Sequence, residues 1–272
     1  FAANGTITRI TSAPVVGTTW TSSTSYLPNV DYMVRAIKLE NGPSGSYDNL
    51  SLGAIATSPQ SQQMVKLDAK VFLEGPFNGT VMGDSLRTNG QLPLSTPYTS
   101  MGYVQTNNLR NESVPQSIMN TTGNAAIIDW IIVELRTQPN TIFASRTGLL
   151  RKDGKIVDMD GVSPLEFAIQ SGSYYIVVKH RNHLAIMTLG QVTLSSTPTT
   201  VDFTSGTLPT YGTDAMEQIN GRSCMWAGDA NFNGTLKYTG TNNDRDPILS
   251  AIGGSVSTNI AIGYHPEDIN MD

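Results

Sequence analysis

Along residues 65–74, Val65, Leu67, Ala69, Val71 and Leu73 alternate with Lys66, Asp68, Lys70, Phe72 and Glu74. A period of two marks a half-buried strand, because successive side chains point to opposite faces. Ile127 to Leu135 is apolar on both faces, broken only by Asp129 and Glu134, and predicts a strand covered on both sides. Leu149-Leu150 and Ile156-Val157 flank Arg151-Lys152-Asp153-Gly154-Lys155, whose Asp-Gly pair predicts a hairpin turn. Alternation returns at Leu165, Phe167 and Ile169. Short apolar runs follow at Tyr174–Val178, Leu184–Met187, Val192–Leu194 and Val201–Phe203. About eight short strands at close intervals predict an all-β, Greek-key, Ig-like β-sandwich over residues 65–203.

The rest of the chain is less rhythmic. Residues 1–64 read as an N-terminal β-rich segment, with strands expected at Thr6–Thr11 and Tyr32–Leu39 and a turn at Asn41-Gly42-Pro43-Ser44-Gly45. Between Glu74 and Asn124 lies a long stretch rich in Asn, Thr, Ser, Pro and Gly. A loop of that length either covers a sheet edge or presents a binding surface. Residues 204–222 read as a connector, and 223–272 as a small loop-rich region.

Composition narrows the classes. Only 14% of the 272 residues are charged, which suits polar β-turns and strands better than the exposed faces of a helical bundle. A net charge of -5 gives no basic face for a phosphate backbone, so nucleic acid is not an expected partner. No apolar run approaches the length of a membrane span. Cys224 is the only cysteine, which excludes an intrachain disulfide. The chain opens at Phe1 and reads as a mature product or an excised piece. No GxSxG elbow, HExxH helix or Walker loop occurs, so no catalytic residue is nominated and the expectation is a non-enzyme. His180 and His183 bracket Arg181-Asn182 at a strand end, where structural hydrogen bonding is the expected role. Asp158 and Asp160 read as an acidic turn.

One segment carries metal chemistry. In Gly228-Asp229-Ala230-Asn231-Phe232-Asn233-Gly234, the side chains of Asp229, Asn231 and Asn233 hold positions 1, 3 and 5 of an EF-hand-type calcium loop, with Gly234 at the sharp turn. Thr235 would add its carbonyl. Position 12, usually acidic, is Gly240, so the closing carboxylate is expected from Asp244 or Asp246 in an expanded loop. Pro247 then suits the first turn of a short helix, Ile248 to Ile252, ending at Gly253-Gly254. Asp268, Asn270 and Asp272 repeat positions 1, 3 and 5 as an incomplete second site. Two such loops in tandem are the plan of dockerin modules.

Residues 65–272 resemble a C-terminal module of large secreted and surface proteins, adhesin- or hemagglutinin-like, of Gram-negative environmental bacteria. The resemblance rests on Val65 to Phe77, Asp129 to Arg136, Gly172 to Leu184, and Trp226 to Asn231 through Asn242 to Leu249. It departs at Asn233, where the family usually carries Asp, and at the unfinished second loop. The resemblance implies an extracellular, cell-surface, calcium-dependent structural or adhesive role without a reaction. The expectation is therefore a Ca2+-stabilised protein whose partners are copies of itself, through strand addition by Thr6–Thr11, or a cell-surface or matrix component. The alternative is a carbohydrate-binding module of a secreted polysaccharide-processing system, with Trp20, Tyr98 and Tyr103 as stacking faces for a glycan.

Overall fold

Backbone alternation and turn chemistry set the elements in two separate units, Phe1–Ser61 and Gln62–Asp272. The computed structural model describes residues 13–17, 31–57, 64–107, 112–256 and 258–272; Thr6–Thr11 and Trp20 lie outside them.

In the first unit, β1 (Asp31–Val34) pairs antiparallel with β4 (Ala54–Thr57), and β2 (Ile37–Gly42) with β3 (Gly45–Leu50). The strand expected at Tyr32–Leu39 is two strands, parted at Arg35-Ala36. The break is satisfied by Ser51, whose Oγ accepts from the Ala36 amide and whose own amide donates to the Ala36 carbonyl. Pro43-Ser44 makes the β2–β3 turn. Two-stranded ribbons have little interior, and Val34 (73% exposed), Leu39 (62%) and Leu52 (94%) stay in solvent.

The second unit holds β5 (Val65–Lys70), β6 (Ile127–Gln138), β7 (Thr141–Arg151), β8 (Lys155–Val157), β9 (Leu165–Phe167), β10 (Gly172–His180), β11 (His183–Met187), β12 (Val192–Leu194) and β13 (Thr199–Asp202). These nine form one hydrogen-bonded sheet, ordered β11-β10-β6-β7-β8-β5-β13, with β12 also on β10 and β9 on β5. Every pairing is antiparallel except β13 with β5. The fold is thus mostly β. Strand β5 buries Val65, Leu67 and Ala69 and leaves the intervening residues half-buried, as its alternation requires. Strand β6 is buried from Ile127 through Leu135, including Asp129 and Glu134.

The long stretch after Glu74 contributes to the core from irregular backbone. Phe77, Met82, Leu86, Leu92, Tyr98, Val114 and Met119 are all buried in the main cluster. Two four-residue helices, α1 (Ser85–Thr88) and α2 (Gln116–Met119), carry two of them. Tyr98 is wholly internal and donates its hydroxyl to the Trp130 carbonyl (3.0 Å), so its ring offers no face to a sugar.

Residues 204–272 pack within the same unit. The hairpin of β14 (Glu217–Ile219) and β15 (Arg222–Cys224) leads to Met225, whose amide donates to the Phe72 carbonyl (2.8 Å). The Cys224 thiol is buried, and burial pushes its pKa up to about 12. Helix α3 (Arg245–Ala251) carries Pro247 in its first turn and runs out at Gly253, whose φ of +79° is a left-handed ending. No helix among the described residues is long and apolar enough to cross a membrane.

Candidate functional site

The segment 229–246 folds back on itself in a closed loop. Gly228 (φ +118°) turns the chain out of the sheet, with its amide held by the Asn182 carbonyl (2.9 Å). Asp229 is then buried, and its two carboxylate oxygens accept the amides of Asn233 and Gly234, each at 2.8 Å. Gly234 sits at φ +80°, where a glycine is the easiest residue to place. Asn231 Oδ1 also accepts the Asn233 amide, while Asn233 Oδ1 accepts the Thr235 amide and hydroxyl.

The far side of the loop is tied in by the same amides. Asn231 Nδ2 donates to the Asn242 and Asn243 carbonyls, and Asn233 Nδ2 donates to Asn242. Lys237 and Asp244 close the neck: the Asp244 amide donates to the Lys237 carbonyl, and Asp244 Oδ2 accepts the Lys237 amide (2.7 Å). Asp244 Oδ1 is buried with no hydrogen-bond partner. Asp246 turns the other way. Its side chain is 60% exposed and is shared by Arg245 and Asn243. Of the two acids the sequence offered to close the loop, Asp244 is the one buried.

Phe232 fixes this loop to the sheet. It adopts φ +57°, an uncommon conformation for a bulky side chain. Its ring meets Tyr98 (6.0 Å between centroids) and lies beneath the Lys179 ammonium (5.0 Å).

Electrostatics single out Asp229. Burial raises its carboxyl pKa above the ordinary value, the Gly234 and Asn233 amides partly offset that, and the charge of Asp244 pushes it up again. Two buried acids thus repel one another, and the charge of Lys179 offsets this in part. Among the described residues there is no cluster of three His, Cys, Asp or Glu side chains around a metal position. The donor set here is two carboxylates supplemented by Asn oxygens and backbone carbonyls, the oxygen-rich mixture a hard cation takes.

The second triplet is arranged differently. Asp268 Oδ1 accepts the Met271 amide (2.9 Å), Asn270 Nδ2 donates to Asp272 Oδ2 (2.8 Å), and Met271 is buried. Burial raises the Asp268 pKa, and the Met271 amide and Arg181 pull it back. Asp268 and Asp272 border a cavity of about 310 Å3 together with Glu267, His265 and Gln91.

A second polar cluster lies inside the sheet; the sequence pointed to hydrogen bonding at His180 and His183 but gave Asp129 only as a break in an apolar strand. Asp129 is fully buried and accepts from Arg181 Nε (2.9 Å), His180 Nε2 (3.1 Å), the Tyr264 hydroxyl (2.7 Å) and the Trp130 amide (2.7 Å). Despite desolvation, Arg181 and these donors hold its carboxyl well below the usual range. His180 ends β10 and His183 begins β11; the Arg181-Asn182 turn brings their Nδ1 atoms to 3.1 Å. The contiguous His-Arg-Asn-His run was the available signal.

Asp158, by contrast, is the bidentate partner of buried Arg146 (2.9 and 2.7 Å), and Asp160 accepts the Val162 and Ser163 amides. Both have structural tasks. Searched against protein-family profiles, curated proteins and solved structures, the chain gives no match.

Proposed function

We propose that this chain is a non-enzymatic, calcium-stabilised structural or adhesive protein of the cell exterior, whose larger unit is an Ig-like β-sandwich ending in a dockerin-like calcium loop. The observation that carries the reading is the pair of buried carboxylates, Asp229 and Asp244, with Asp244 Oδ1 lacking any partner. An unpaired buried anionic oxygen is costly, and a divalent cation removes both that cost and the repulsion between the acids. Asp229, Asn231, Asn233, Asp244 and the Thr235 carbonyl would hold the ion, and the outward course of Asp246 leaves it to orient α3. Calcium's role in this reading is architectural, since it would join residues 229–235 to residues 242–244. Self-association is supported by the exposed apolar side chains of the first unit, including Val34 and Leu39.

Calorimetric titration of the chelated protein with calcium tests the metal, with thermal unfolding and light scattering followed in parallel. One site per chain and a raised midpoint are expected; at 100 times Kd the stabilisation is about 2.7 kcal/mol. No heat and no shift would remove the calcium reading. Scattering that stays monomeric with and without calcium would remove the polymer.

A further inference from the structure

The buried histidines form a chain with only one consistent placement of protons. The Gly75 amide donates to His183 Nε2 (3.3 Å), so that nitrogen is bare and His183 carries its proton on Nδ1. The Asp129 carboxylate accepts at His180 Nε2 (3.1 Å), so that nitrogen is protonated and His180 Nδ1 is bare. The His183 Nδ1–H then points at His180 Nδ1 (3.1 Å) and at Asn182 Oδ1 (2.7 Å). His180 Nδ1 and Asn182 Oδ1, both acceptors and 3.0 Å apart, share the His183 N–H, and both rings are neutral. An added proton on His183 Nε2 confronts the Gly75 amide. One on His180 Nδ1 confronts the His183 N–H and competes with it for Asn182 Oδ1.

Residues 264–271 rest on this chain from both ends. Tyr264 donates to Asp129 and lies 4.6 Å from the Arg181 guanidinium. Arg181 donates to the His265 carbonyl, and Asn182 Nδ2 to the Asp268 carbonyl (2.6 Å). At the other end Gly75 holds His183 and also lies flush against Ile269, where a Cβ would sit on the Ile269 carbonyl. The charged or titratable groups around the rings are Asp129 from β6, Arg181 from the turn, Tyr98 from the loop, and Tyr264, His265 and Asp268 from the strap. Glu74, beside Gly75, is occupied by the Ala227 amide (2.7 Å).

We propose that the Asp129–His180–His183–Gly75 chain is an acid-sensitive latch: it holds the 264–271 strap closed at neutral pH and releases it on mild acidification while the sheet persists. Burial holds both imidazoles below their ordinary 6.5, His183 the further. The open form therefore binds more protons as pH falls through 6.5, so the closed strap is fully favoured above that value and loses stability progressively below it.

Amide hydrogen exchange at pH 7.5 and 5.5, corrected for intrinsic rates, tests the latch. It is run in saturating calcium and again in chelator, so that loss of an ion at Asp229 is told apart from strap opening. Protection of the Asp268 and Met271 amides is expected to fall about 10-fold or more with acid. That of β6 and β7 is expected to hold. H183Q, whose side chain supplies an acceptor and a donor without titrating, is expected to shrink the fall to the share that His180 alone contributes. Histidine Cε1–H shifts of the unaltered protein give a measurement that needs no variant, and both buried rings are expected to titrate below 6.5, together with strap exchange. Titration near 6.5 with the strap unmoved overturns the proposal. So does loss of strap and sheet in step, or a loss confined to chelator.

Discussion

The second unit buries acids in two places and treats them in opposite ways. At Asp129 the fold supplies its own cation: Arg181 lies 2.9 Å away, every lone pair is used, and the carboxyl is held well below its ordinary pKa. At Asp229 and Asp244 no guanidinium or ammonium is in hydrogen-bonding reach of either carboxylate among the described residues, one oxygen has no partner, and the Asp229 carboxyl is raised. The first arrangement neutralises its anion when the chain folds, although Arg181 Nη2 has no partner. The second leaves a buried anion with no counter-charge in contact, which in the calcium reading proposed above is what the ion would supply.

Removing the fixed pair is the harshest way to break this comparison. D129N strips the counter-charge from fully buried Arg181 and should cost about 3–5 kcal/mol, read from urea unfolding. A loss below 1 kcal/mol would mean that Arg181 finds another partner and that the two acid sites are less different than they look.

The next largest effect carries a change of sign. D244N should stabilise the calcium-free protein, by roughly 1 kcal/mol, because it lifts repulsion from Asp229 and turns an unpaired anionic oxygen into an amide. The same change should abolish the calcium-dependent rise in midpoint. In the calcium-free wild type, the raised Asp229 carboxyl contributes stability at low pH that is lost as pH climbs above the ordinary 3.8, whereas Asp129 contributes stability that is lost as pH falls below 3.8. Unfolding midpoints between pH 3.5 and 6.5 should therefore fall less with acid in chelator than in calcium. Identical pH profiles would sink the claim that Asp229 waits for a cation.

D246N is the finest probe and the smallest effect. Its carboxylate is out in solvent beside Arg245, so both the midpoint and the calcium response should match wild type within error. A lost response would make Asp246 the closing ligand in place of Asp244.

What could be seen beforehand follows the same physical divide. Strand β5 and the 153–154 turn were legible because period-two burial and an Asp-Gly turn are local signals. So was α3, with proline in its first turn and glycine at its end. Strand β7 was legible only at its end, Leu149-Leu150. Its Ser145, Arg146 and Thr147 are polar yet buried, matched by Thr106, Asp158 and Glu112 from other segments, and Gly148 makes room for Ile156, the Val157 carbonyl and Leu165. No pattern along β7 announces that. The stretch after Glu74 hid its core residues because each comes from irregular backbone with no common period. The Asp229 loop showed in the sequence because its oxygen-bearing side chains are spaced along a few residues. The Asp129 cluster did not, because Tyr264 joins it from 135 residues away.

That last distance also sets the order of events during synthesis. Asp129, Arg181 and Gly75 are made before Tyr264 and Ile269, so any sheet that forms in that interval has one end of its polar interior still open to water. Docking of the strap closes a very long loop, a step expected among the latest and slowest in folding. The polar interior at Asp129 is therefore completed only once the strap has been made, and until then it is open to premature contacts.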